Sequence, residues 1–206
     1  MPFIVLEGLD GSGKSTVFTA LCEHLRTRYP DAEIIKTREP GGTELGEQLR
    51  TLILQTDMDP VTELMLVSAQ RAEHVQQVIR PALKRGAFVM CDRFTASTYA
   101  YQVKGRGLPE SLYLTLTQLV CGTTQPDLTV LLDLDPKVAA ERIASRAAAP
   151  DRFDSASAEF ISRVRQAYLN LSWRHASKYA VVNAEADYAT VIDRALSALD
   201  TWIDTR

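Results

Sequence analysis

The chain has 206 residues, with 23 Lys and Arg against 26 Asp and Glu, a formal net charge of −3. That balance excludes the overall basic character that draws a protein to DNA, RNA or anionic lipid, and no apolar run is long enough to cross a bilayer. The length suits one α/β domain with an ample core, and the composition is that of a soluble globular protein. The start, Met-Pro-Phe-Ile-Val, lacks a basic n-region and runs straight into an apolar stretch, which reads as no signal peptide. Cys22, Cys91 and Cys121 lack metal-ligand spacing and read as reduced thiols of a cytoplasmic protein.

In chain order, strands are predicted over Phe3–Glu7, Glu33–Thr37, Phe88–Cys91, Leu128–Asp133 and Ala180–Asn183. Most are continuous apolar runs, the pattern of parallel strands covered on both faces. Helices are predicted over Lys14–Tyr29, Glu44–Leu54, Glu63–Arg85, Leu108–Val120, Lys137–Arg146, Ala158–His175 and Tyr188–Trp202. The alternation implies a five-stranded parallel sheet with crossover helices, a three-layer α/β/α sandwich. No repeat, low-complexity tract or linker divides it, so residues 1–206 are read as a single domain. Ala147-Ala148-Ala149-Pro150-Asp151-Arg152 reads as a mobile connection between helices.

The first strand and helix flank Gly8-Leu9-Asp10-Gly11-Ser12-Gly13-Lys14-Ser15-Thr16, which fits G-x-x-x-x-G-K-[ST], the phosphate-binding P-loop. Glycines let the backbone wrap so that N–H groups face phosphate oxygens, and the following helix adds its positive dipole end. Lys14 is suited to sit between the β- and γ-phosphates, and the Ser15 hydroxyl to reach magnesium. A second cluster, Asp92-Arg93-Phe94, follows a predicted strand. Carboxyl ends of parallel strands line the ligand crevice. Asp92 there is placed to hold magnesium through water, and Arg93 offers a planar fork for phosphate.

These segments resemble the thymidylate kinase family, of the bacterial kind. The resemblance rests on Glu7-Gly8-Leu9-Asp10-Gly11-Ser12-Gly13-Lys14-Ser15-Thr16, on Thr37-Arg38-Glu39-Pro40-Gly41-Gly42-Thr43, and on Asp92-Arg93-Phe94-Thr95-Ala96-Ser97-Thr98-Tyr99-Ala100-Tyr101-Gln102. Ser68-Ala69-Gln70-Arg71, Gly105-Arg106-Gly107, Gln125-Pro126-Asp127-Leu128 and Asp151-Arg152-Phe153 support it. It covers nearly the whole chain and implies a P-loop nucleoside-monophosphate-kinase fold, with a lid at about 142–154. The implied reaction transfers the γ-phosphoryl group of ATP-Mg to dTMP. The acceptor phosphate is largely ionised at neutral pH, its second pKa being about 6, so no general base is needed. His24, His74 and His175 are accordingly read as solvated or core residues. A homodimer packed through helices is a further implication.

The resemblance also distributes roles. Lys14 serves the ATP phosphates, Arg93 bridges donor and acceptor, and Arg38 binds the acceptor phosphate beside Glu39-Pro40, where a cis bond is expected. Arg142, Arg146 and Arg152 fall in the lid, with Arg146 and then Arg142 the candidates for the transferring group; Gly11 stands where another kind of the family carries a basic P-loop residue. Arg71 donates to O4 of thymine, Thr98 lies at the base edge, Tyr101 under the sugar and Asp10 at the 3′-hydroxyl, with Gln102 bordering the site. Val67 stands where the family usually places a phenylalanine stacked on thymine; valine keeps an apolar wall without the aromatic face. Asp154 replaces a commoner glutamate, and Val103-Lys104 a usual glycine pair, which implies a stiffer loop. Two rivals stand beside this reading. One is a kinase of dUMP or a modified deoxynucleotide on the same scaffold. The other is a GTP-binding switch protein, which the absence of an N-K-x-D segment disfavours.

Overall fold

The computed structural model describes residues 1–145, 152–153 and 156–205. Its sheet is parallel throughout, with strand order β2-β3-β1-β4-β5: β1 Phe3–Gly8, β2 Ile34–Arg38, β3 Phe88–Asp92, β4 Leu128–Asp133 and β5 Tyr179–Asn183. β1 is central, hydrogen-bonded to β3 and β4, and each of its residues is buried. Alternation sends its side chains to two cores. Ile4 and Leu6 join Val17, Leu21 and Leu25 of α1 (Lys14–Arg28), while Phe3 and Val5 join Val75, Ile79 and Cys91. The outer strands β2 and β5 are only partly buried, which is why their sequences are mixed rather than wholly apolar. The three cysteines are buried and free.

Between β2 and β3 lie α2 (Glu44–Gln55), α3 (Pro60–His74), a π-helical stretch Val75–Ile79 and α4 (Arg80–Lys84). The expected single helix Glu63–Arg85 is thus widened in its middle. Pro81 has no N–H for the carbonyl of Gln77 and its ring crowds that group, so a wider turn just ahead of it relieves both faults. The start lies earlier because the Asp59 side chain accepts from the Val61 N–H at 2.8 Å and Pro60 suits the first turn.

After β3 comes a helix not expected from sequence, α5 (Thr95–Thr98) continuing as a π-helix over Tyr99–Gly105. Its Thr, Ser and Tyr residues have modest helix propensity. Its start is capped instead from another element: Glu7 of β1 accepts from the N–H groups of Phe94 (2.8 Å) and Ser97 (3.1 Å). Val103 and Lys104 therefore lie in a helical turn, not in the loop expected of them. α6 (Glu110–Cys121), α7 (Pro136–Ala144), α8 (Ala158–Arg174) and α9 (Tyr188–Asp204) complete the layers. Arg146 and Asp154 lie outside the described residues, as does much of the stretch expected to form a lid.

Candidate active site

The carboxyl ends of β1, β2 and β3 meet in register, Leu6 opposite Asp92 and Asp92 opposite Arg38. This juxtaposition opens a cavity of about 600 Å³ along the switch from β1 to its neighbours. Its phosphate end is the P-loop. Gly11 and Gly13 have φ of +84° and +87°, and Gly13 opens α1 in the left-handed region. A Cβ on Gly11 would stand 2.6 Å from the carbonyl oxygen of Ala139, so this loop has no room for the basic residue that another kind of the family carries there.

Lys14 is buried, donates from Nζ to the Leu9 carbonyl at 2.8 Å and lies 3.6 Å from Asp10 Oδ1. Burial, and then the neighbouring Arg93 charge, push its pKa down. Arg93 takes φ +69°, a strained conformation for a non-glycine residue. Its Nη2 donates to Asp10 Oδ1 at 2.7 Å and its Nη1 to Ser97 Oγ and Tyr168 OH, both at 3.1 Å. Tyr101 OH donates to Asp10 Oδ2 at 3.2 Å, and the Arg93 guanidinium lies 5.3 Å from the Tyr101 ring centre. Burial opposes the Asp10 charge, but Arg93 and Lys14 outweigh it and hold the carboxyl well below its usual range.

The expected metal residues, Ser15 and Asp92, line the same cavity. Asp92 Oδ1 is buried with no hydrogen-bond partner among the described residues, an acceptor that fits a hydrated divalent cation. Arg38 lines the cavity and donates to Glu47 Oε2 at 2.8 Å, following a Glu39-Pro40 bond that is cis. Beside it stands a cation that sequence reasoning missed. Arg50 of α2 donates to the Pro40 carbonyl at 2.8 Å, and burial, then Arg38, lower its pKa. Arg38, Arg50 and Arg93 crowd like charges into one wall, which is the electrostatic signature of an anion site. Nothing in the local run Glu47-Gln48-Leu49-Arg50 marks it as such.

At the other end of the cavity Arg71 is buried and fixed on three sides. Nε donates to Glu39 Oε2 at 2.6 Å, and Nη2 donates to the Phe94 carbonyl at 3.1 Å and to Thr98 Oγ1 at 2.9 Å. Burial works against its charge, but the Glu39 carboxylate prevails and raises its pKa. His74 Nδ1 lies 2.9 Å from Glu39 Oε1, and its Nε2 2.6 Å from Thr37 Oγ1. His74 is therefore a core histidine, as expected, and also a brace behind Arg71. Val67 lies 7% exposed in a cluster with Ile53 and Leu64. Gln102 borders the cavity, but its Nε2 donates to the fully buried Glu63 at 2.6 Å.

Arg142 is turned to the strand-end loop after β5. Its Nη2 donates to the carbonyls of Ala184 and Ala186 at 3.2 and 3.1 Å, and its guanidinium lies 5.8 Å from the Tyr188 ring centre. Tyr188 in turn borders Gly13. Arg152 forms an ion pair with Glu63 at 2.7 Å. Glu7, part of the motif but given no role by sequence, also accepts from Ser97 Oγ (2.6 Å) and Tyr168 OH (3.0 Å), and so seats the segment that carries Arg93. Burial raises its pKa, against the pull of Arg93.

The family model described as thymidylate kinase matches residues 6–194, spanning both ends of this cavity. The chain belongs to the thymidylate kinase family. It is 46% identical to the thymidylate kinase of Burkholderia cenocepacia strain J2315 over 202 residues, covering 96% of this chain and 98% of that one. It is 46% identical to that of Paraburkholderia xenovorans over 191 residues, 92% of each chain. The crystal structure of thymidylate kinase from Ehrlichia chaffeensis superposes with a TM-score of 0.79 at 32% identity, covering 97% of this chain and 98% of that one. The fold is thus the P-loop nucleoside-monophosphate-kinase fold. Thymidylate kinases phosphorylate dTMP to dTDP in the synthesis of dTTP, and that is the reaction of this enzyme.

Proposed function

We propose that the enzyme takes the phosphoryl group from ATP-Mg, with donor and acceptor lying end to end in the one cavity. The observation that carries this is the wall of Arg38, Arg50 and Arg93 facing the P-loop across Asp92. Gly8, Leu9, Asp10, Gly11, Ser12, Gly13, Lys14, Ser15 and Thr16 cradle the ATP phosphates, and α1 directs its N-terminus at them. Ser15, and Asp92 through water, would hold magnesium, which would supply charge neutralisation at the phosphates. Arg93 lies between the P-loop carboxylate Asp10 and α5, where it bridges the two nucleotides. Arg38 and Arg50 grip the acceptor phosphate. Arg146 completes the cations at the transferring group. Arg142 and Tyr188, set at the P-loop's far edge, flank the adenine.

The base then falls between Val67, Arg71 and Thr98, with Tyr101 and Asp10 at the deoxyribose. Arg71 presents donors, which suit O4 of thymine or uracil and oppose the 4-amino group of cytosine. Turnover of dTMP, dUMP, dCMP and dGMP under equal ATP-Mg tests this. dTMP is expected to lead, dUMP to follow and dCMP to fail; equal use of dCMP removes Arg71 from the base edge.

The helices α3 and α6, which pack side by side, leave Val61, Met65, Leu112, Leu114 and Leu119 exposed. A homodimer through these helices covers that apolar surface. Among the described residues no helix is long and apolar enough to cross a membrane.

A further inference from the structure

Val67 gives the base an apolar wall without an aromatic face, and other rings line the same cavity. Among the described residues lining it, the aromatic rings are Phe94, Tyr101, Phe153 and Tyr188. Phe94 is 1% exposed, with Phe3 packed on it edge-on at 5.0 Å and the Arg71 guanidinium 5.2 Å from its ring centre. Tyr188 stands by Gly13, at the opposite end. Tyr101 is held at the sugar side by its bond to Asp10. Phe153 is different. It is half-buried, packs on the cluster that contains Ile53, Leu64 and Val67, and meets Tyr101 edge-on, centres 5.5 Å apart at 90°.

Its position is fixed by its neighbour. Arg152 donates from Nε to the Ile53 carbonyl at 2.5 Å and from its backbone N–H to the Leu54 carbonyl at 3.4 Å. The same guanidinium lies 2.7 Å from Glu63 Oε2 and 4.4 Å from the Phe153 ring centre. Glu63 is fully buried and also accepts from Arg106 at 3.1 Å and Gln102 at 2.6 Å. A carboxylate so placed is tolerated only because cations and an amide meet it, and it ties Arg152 to α3, one turn from Val67.

We propose that Phe153 is the aromatic wall of the base site, a specificity-determining residue, and that Glu63 is its positioning residue through Arg152. This rests on the placing of the base beside Val67, Arg71 and Thr98. In this arrangement the ring that covers the base is that of Phe153, while α3 contributes the apolar backing of Val67 and the donors of Arg71.

Calorimetric titration of Phe153→Leu with dTMP, ATP and 2-deoxyribose 5-phosphate tests it. Leucine keeps apolar volume and removes the ring. Loss of stacking is expected to weaken dTMP about tenfold, leaving ATP and the base-free sugar phosphate within about twofold. Val67→Phe added to Phe153→Leu is expected to restore most of the dTMP affinity. The same addition is expected to rescue Glu63→Gln, which a purely structural loss would not permit. Undiminished dTMP binding by Phe153→Leu, alongside weakened binding by Arg71→Ala, overturns the proposal and leaves the base pocket standing. Equal weakening for all ligands, or no rescue by Val67→Phe, overturns it as well. If Arg71→Ala also binds dTMP normally, the base pocket falls with it.

Discussion

At the phosphate end of the cavity, one continuous run from Gly8 to Thr16 supplies the loop, its lysine and the first turn of α1. At the proposed base end, Val67 and Arg71 come from α3, Thr98 from α5, and Glu39, which holds Arg71, from the turn after β2. The first site is mostly main chain, so its geometry is local and tolerates few changes of conformation. The second is mostly side chain, assembled across distant parts of the sequence and dependent on buried ion pairs. The second can therefore vary by single side chains while the first cannot.

Lys14→Met separates the two ends most sharply. Turnover is expected to fall by at least about a hundredfold, the scale for removing one preorganised charge-stabilising group, with unfolding temperature and dTMP binding nearly unchanged. Near-normal turnover would mean that the loop is not the phosphate site.

Arg71→Ala attacks the other end. Binding of dTMP is expected to weaken about tenfold or more, because the variant removes the proposed base donor and leaves the buried Glu39 carboxylate, among the described residues, with His74 beside it. ATP binding is expected to hold, and equal losses for the two nucleotides would erase the distinction between the ends. A fall in unfolding temperature should accompany it, since a buried carboxylate loses its cation.

Glu7→Gln gives the smallest effect and probes the seam between the ends. Burial raises the Glu7 pKa in the fold. The folded chain then holds a proton that the unfolded chain has already released, so this group's contribution to stability declines as pH rises from the unfolded value of 4.5 to the folded one. Glutamine removes that decline. Relative to the native chain, the variant should gain in stability, and so in unfolding temperature, as pH rises across this window. A few-fold loss of turnover is expected with it, because Ser97 and Phe94 hold Arg93 through Glu7. A flat difference across pH would assign the buried proton elsewhere.

Much of this enzyme is written in short stretches of chain. Phe3–Leu6 is apolar because a central parallel strand is covered on both faces, and Gly11 and Gly13 are glycine because their φ values leave little choice. Such residues report on their own backbone and can be read one segment at a time. The helix from Thr95 to Gly105 could not, since its first N–H groups are satisfied by Glu7 across the fold. Arg50 carries no local signal, and it takes β2 and β3 to set Arg38 and Arg93 beside it. His74, Glu39 and Arg71 are unremarkable apart and form one buried network together. What the amino-acid order determined alone was the sheet, the phosphate loop and the strand-end cations next to it, because these follow from local conformation. What only the tertiary structure decided was which charges meet and which aromatic rings line the cavity, because pairing in a buried site depends on distance in space, and that is a property of the packed chain.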